Sequence, residues 1–116
     1  MENQVELKKD IDKYFEKYLE RMPQMGETYY ELSTGAYKEG ELSTKTKRLM
    51  AVAVAVASSC RGCILSQTEH ALDQGATVEE IFEACGVAIS MGGTMAAAET
   101  TRLVQYLQEK GKLQQQ

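Results

Sequence analysis

The chain is 116 residues long, enough for one domain built around one modest core. Hydrophobic residues make up 43% and charged residues 26%, and a net charge of -4 offers nothing to a nucleic acid or an anionic membrane. The longest apolar run, Leu49 to Ala57, is far shorter than the roughly 20 residues of a bilayer span, and the mixed-charge stretch Met1 to Lys9 is unlike a signal peptide, so a cytoplasmic location is expected.

Val5 to Met22 carries Leu7, Ile11, Tyr14, Phe15, Tyr18 and Met22 at three- and four-residue steps. That spacing predicts an amphipathic helix, ended by the one proline, Pro23. A weaker helix is expected over about Glu27 to Ala36, then a loop from Lys38 to Leu42. Ser43 can cap a third helix that runs through Leu49 into the Ala/Val alternation of Ala51 to Ala57. The alternation suits a buried strand as well, but both residue types are apolar, alanine is the best helix former, and helix is the better reading.

Ser58 and Ser59 offer a break and a new cap, and Cys60 to Gln74 forms the fourth helix, stopped by Gly75. Thr77 with Glu80 is a capping-box signature ahead of Ile81, Phe82, Cys85, Ala88 and Ile89. Gly92-Gly93 ends that fifth helix, and a sixth runs from about Thr94 to Lys110, closed by Gly111, after which Lys112 to Gln116 frays. The fold class is all-α: a helical bundle of about six helices.

Three cysteines do not form a disulfide framework in a chain of this kind. Two are spaced Cys60-x-x-Cys63 at a helix start, where free N–H groups and about half a positive charge favour a thiolate. Arg61, between them, adds positive potential if its side chain turns inward, and Gly62 permits close approach. Cys60, Cys63, Gln67 and His70 follow at steps of three, four and three residues and share one helix face. His70 is the only histidine and is a candidate proton carrier there, reaching Cys63 through water. Two other uses of these residues stand beside redox chemistry: a zinc site from Cys60, Cys63, His70 and Cys85, and inert packing. Cys85 falls on the apolar face of its helix and reads as core. The tyrosines at 14, 18, 29, 30 and 37 read as packing and interface residues. A thioredoxin-like arrangement is excluded: the only proline precedes the motif, and no second strand candidate follows it.

From Leu42 to Gly93 the chain has a lysine-rich start, an apolar helix, Cys60-x-x-Cys63, Gly75-Ala76-Thr77, Glu79-Glu80-Ile81 and a glycine pair. In this it resembles the carboxymuconolactone decarboxylase / alkyl hydroperoxidase D family. The resemblance implies an obligate homo-oligomer, commonly a trimer or hexamer; no cofactor is expected. It also implies a peroxidase (peroxiredoxin-type) or disulfide-reductase activity acting on a peroxide or disulfide substrate, with an unidentified dithiol as reductant. Cys63 matches the peroxide-attacking thiol and Cys60 the resolving one, with a sulfenic acid and then a disulfide as intermediates. The glutamate and histidine of the family's proton relay are replaced by Arg48 and Gln67. His70 or Glu69 would have to supply the relay from new positions, and Arg48 could compensate by lowering a cysteine pKa. The lactone decarboxylase branch, which does not rely on a cysteine pair, is the alternative enzyme reading.

Overall fold

A computed structural model describes residues 1–114 and builds them from five helices: α1 (Gln4–Arg21), α2 (Pro23–Ala36), α3 (Thr44–Ala57), α4 (Arg61–Asp73) and α5 (Val78–Glu109). Gln115 and Gln116, the end of the tail expected to fray, lie outside the described residues.

α1 begins at Asn3, whose side chain accepts from the Glu6 N–H at 2.8 Å. The free N–H groups of Gln4 and Val5 are taken up by one carboxylate oxygen of Glu109, at 2.7 and 2.9 Å, so the last turn of α5 caps the first turn of α1. Pro23 does end α1, but it also opens α2 as its first residue, where a missing N–H costs nothing. α2 is therefore a turn longer at its start than the expected Glu27. It packs against α1 alone, with Leu19 buried and the Phe15 and Tyr29 rings edge to face at 5.4 Å.

Ser43 caps α3 as expected, accepting from the Thr46 N–H at 3.0 Å. The Ala/Val run is helical: Val52, Ala55 and Val56 are buried at steps of three and one, while Val54 is 66% exposed. Their buried face meets Ile64 and Ala71 of α4 and Ile81, Cys85, Ala88, Leu103 and Leu107 of α5 in the core. A strand would have put Val52, Val54 and Val56 on one side.

Three helices end in the same way. After α3, α4 and α5, the N–H groups of Ser59, Gly75 and Gly111 bond to Val56, Leu72 and Gln108, and those of Cys60, Ala76 and Lys112 to Ala55, Ala71 and Leu107. This Schellman pattern needs a left-handed residue, usually glycine. Gly75 (φ 83°) and Gly111 (φ 73°) conform, but Ser59 (φ 56°) takes the position in front of Cys60.

The fifth and sixth expected helices follow one another as a single kinked element, which makes the number of elements five, and the kink falls at the expected glycine pair. Its interior breaks at Gly93, whose φ of 67° and ψ of -146° lie outside the helical region. The capping box of Thr77 and Glu80 is present. By length and composition α5 could cross a membrane, with an 18-residue window of mean hydropathy 1.4, although no unbroken apolar run in the chain approaches that length. Glycines 86, 92 and 93 and the polar residues among its apolar ones hide that window from a search for unbroken runs. Here the helix is interrupted at Gly93 and contributes much of the core.

Candidate functional site

Cys60 is where α3 ends and α4 begins. Its N–H closes the Schellman pattern of α3 on Ala55, at 3.0 Å, and it is the N-cap of α4, with its Sγ accepting from the Cys63 N–H at 3.3 Å. The cap is thus the cysteine and neither of the serines before it. Ser58 instead folds its hydroxyl back onto the Val54 carbonyl at 2.8 Å. Cys60 and Cys63 are joined by a disulfide with their Cα atoms 5.1 Å apart. Cys60 is half-buried and Cys63 is exposed.

Cys63 opens onto a cleft of about 490 Å³ between α3, the first turns of α4 and the end of α2. Leu42, Met50 and Val54 give it apolar walls; Tyr37, Lys47 and Gln67 are its polar members, with Ser58. Neither a carboxylate nor an imidazole lines it. Gln67 sits one turn beyond Cys63, and its amide oxygen accepts from the Arg48 guanidinium at 3.0 Å. Arg48 itself lies over the Tyr37 ring, 3.5 Å from its centre. The structure thus brings together Cys60, Cys63, Gln67 and Arg48.

His70 is not part of this group: it is exposed in part, on a side of α4 that does not line the cleft. Partial burial, then the nearby Arg48 charge, hold its pKa below the usual 6.5. Glu69 turns to another face, accepting from the Tyr106 hydroxyl at 2.6 Å and pairing with Lys110 at 3.3 Å. Its burial disfavours the charge, but those two partners outweigh that and keep it a carboxylate, while Tyr106 is held as a neutral phenol. Arg61 turns outward to Glu2, at 3.4 Å, away from the pair it was expected to favour. Gly62 faces Ile11 of α1, 3.5 Å from where a Cβ would sit. Cys85 is 2% exposed in the core, and burial pushes its thiol pKa up. Among the described residues no three His, Cys, Asp or Glu side chains are placed to hold a metal ion, so the zinc reading lacks a ligand set.

Residues 23–106 match the model of the carboxymuconolactone decarboxylase family. The chain belongs to this family. Its fold is similar to that of a carboxymuconolactone decarboxylase family protein from Legionella pneumophila, with a TM-score of 0.87 and 32% identity over 94% of this chain and 97% of that one. A family protein from Thermotoga maritima, for which a part in the antioxidative response has been suggested, has a TM-score of 0.70 and 31% identity, over 76% of this chain and 91% of that one. In sequence, an uncharacterized protein of the cox locus of Paracoccus denitrificans is 36% identical across 83 residues, which is 72% of this chain and 75% of that protein.

Set in the family, the two departures noted in the sequence acquire a geometry. At the positions where the resemblance implies a glutamate and a histidine, this chain has an arginine and a glutamine hydrogen-bonded to one another. Sequence reading did not find Lys47, Leu42 or Met50 as parts of the site, and it took Tyr37 as packing. They come from segments brought to Cys63 only by the packing of α3 on α4. Lys47 had one legible sign: it belongs to the lysine-rich start of α3.

Proposed function

We propose that this family member is a thiol–disulfide redox protein, acting as a peroxidase of the peroxiredoxin type or as a disulfide reductase. The observation that carries the reading is the position of Cys63, exposed in an apolar cleft with Cys60 bonded to it from the helix cap.

In the oxidative half, the Cys63 thiolate attacks the terminal peroxide oxygen. A sulfur–oxygen bond forms, the O–O bond breaks, and the oxygen's electron pair leaves with the remaining fragment. Cys60 then displaces hydroxide from the sulfenic acid, and its thiol proton completes a water. In the reductive half, an external dithiol attacks Cys63, the more exposed residue of the pair. Cys60 departs as a thiolate that accepts the Cys63 N–H at the helix N-terminus. The second thiol of the reductant then releases Cys63.

The suggested antioxidative role of the Thermotoga maritima protein supports this reading. The decarboxylase branch finds less support, because acid–base chemistry on a dicarboxylate lactone needs carboxylate or imidazole groups that the cleft lining lacks.

The test is thiol titration against pH with and without peroxide, on wild type, Cys60→Ser and Cys63→Ser. Wild type should lose two thiols on peroxide addition. Cys60→Ser should accumulate a sulfenic acid trapped by dimedone, and Cys63→Ser should do neither. A Cys63 pKa near the roughly 8.5 of free cysteine, with no peroxide-dependent disulfide, would overturn the proposal.

A further inference from the structure

The Arg48–Gln67 contact determines more than its own geometry. Guanidinium nitrogens only donate, so the Gln67 atom facing Arg48 is its oxygen, at 3.0 Å, and the amide NH₂ faces away from it. That Nε2 has no hydrogen-bond acceptor in the protein among the described residues, and Gln67 lines the same cleft as Cys63, one turn further along α4. The Tyr37 ring under the guanidinium holds Arg48 in place.

We propose that Arg48 and Gln67 act as a fixed hydrogen-bond donor pair that steadies Cys63 and its oxidant without releasing a proton, and that the cleft is matched to oxidants whose leaving oxygen departs as a stable anion, namely peroxycarboxylic acids. This rests on the thiol-redox reading above.

The reason is proton bookkeeping. An amide does not ionise in this range, and a guanidinium keeps its proton below about pH 12. The other polar groups at the cleft are Tyr37, whose ring face is taken by Arg48, Lys47, whose ammonium donates to the Lys38 carbonyl at 2.6 Å, and Ser58, whose hydroxyl donates to the Val54 carbonyl at 2.8 Å. Attack on an alkyl hydroperoxide expels an alkoxide, about as basic as hydroxide, the conjugate base of an acid as weak as water. Without a positioned acid, that departure is slow. Attack on the terminal oxygen of a peroxycarboxylic acid gives the Cys63 sulfenic acid and a carboxylate, the conjugate base of an acid of pKa about 4. The O–O electron pair leaves with the carboxylate, and no proton is required.

The experiment measures second-order oxidation of the reduced protein at pH 7 by peracetic acid and by tert-butyl hydroperoxide. Both oxidants meet the same thiolate, so the ratio of their rates cancels changes in thiolate fraction. It is compared with the ratio for Arg48→Glu combined with Gln67→His, where a carboxylate keeps an added imidazole protonated. The alkyl-to-peracid ratio should rise at least about tenfold in the double variant, a conservative share of the roughly 10²- to 10⁴-fold typical of general acids. Should that variant fail to fold by circular dichroism, Gln67→His alone at pH 6 serves the same comparison. Oxidation of wild type by both reagents with an unmoved ratio overturns the donor-pair inference alone. Oxidation by neither overturns the redox reading beneath it.

Discussion

The Arg48 guanidinium donates to the Gln67 amide oxygen across 3.0 Å and at the same time covers the Tyr37 ring at 3.5 Å. One cation on α3 thus joins the side of α4 to the end of α2, which otherwise packs only on α1. The Tyr37 carbonyl, accepting from the Thr44 hydroxyl at 2.7 Å, reinforces the same junction. Removing either partner should therefore loosen both the cleft wall and the redox helix. In a double-mutant cycle of Arg48→Met and Gln67→Leu, monitored by urea unfolding, the coupling should be about 1 kcal/mol, below the usual range for charged hydrogen bonds because the pair is half-exposed. Additive losses would mean the bond contributes nothing.

His70 gives a pH-dependent prediction. Its pKa lies below 6.5 because burial, then Arg48, disfavours the imidazolium. Its neutral form therefore stabilises the fold fully above pH 6.5, and that contribution is lost as pH falls through the folded pKa, since the unfolded chain takes up the proton first. The imidazole resonances in NMR should titrate with a midpoint under 6.5, and Arg48→Gln should raise it only part of the way, because burial remains. A midpoint above 6.5 in the native protein would contradict the geometry.

Ser59 occupies a left-handed position that glycine holds at the two equivalent helix ends, Gly75 and Gly111. Ser59→Gly should raise unfolding stability by about 0.5–1 kcal/mol, read as a shift of the urea midpoint with an unchanged slope. Its effect on Cys63 alkylation should be small, because the hydrogen bonds at Cys60 come from backbone and sulfur. A loss of stability would mean that the serine side chain has a role of its own.

Val54 (66% exposed), Val87 (62%) and Met91 (85%) border one apolar depression on the outer side of α3 and α5. So much uncovered apolar surface on so short a chain supports self-association, in line with the oligomer that the sequence resemblance implies. We expect light scattering to give a multiple of the 12.9 kDa chain, and Val87→Glu to shift it toward the monomer with helical circular dichroism retained. A monomeric wild type at micromolar concentration would refute this.

Much of the fold was legible because helix ends are local chemistry. Ser43, Thr77 with Glu80, Pro23 and Gly75 act through groups within a few residues of each other, and each does what its type predicts. The cysteine pair was legible for the same reason, since a disulfide between positions three apart requires only one turn of backbone. The break at Gly92-Gly93 was legible too, since Gly93 does leave the helical region; what was not legible is that helix resumes at once beyond that single residue, so the two expected helices run on as one kinked element.

The sequence alone determined which residue types stand at one helix start, and hence that two sulfurs can bond there. Only the tertiary structure decided which neighbours they have. His70 shares a helix stripe with Cys63 but remains outside the cleft, whereas Arg48, 15 residues before it in sequence, is held beside Gln67 by the packing of α3 on α4. Helical periodicity orders side chains around one axis; where two axes meet is set by the burial of apolar faces across the core, a sum over the whole chain that no short motif encodes.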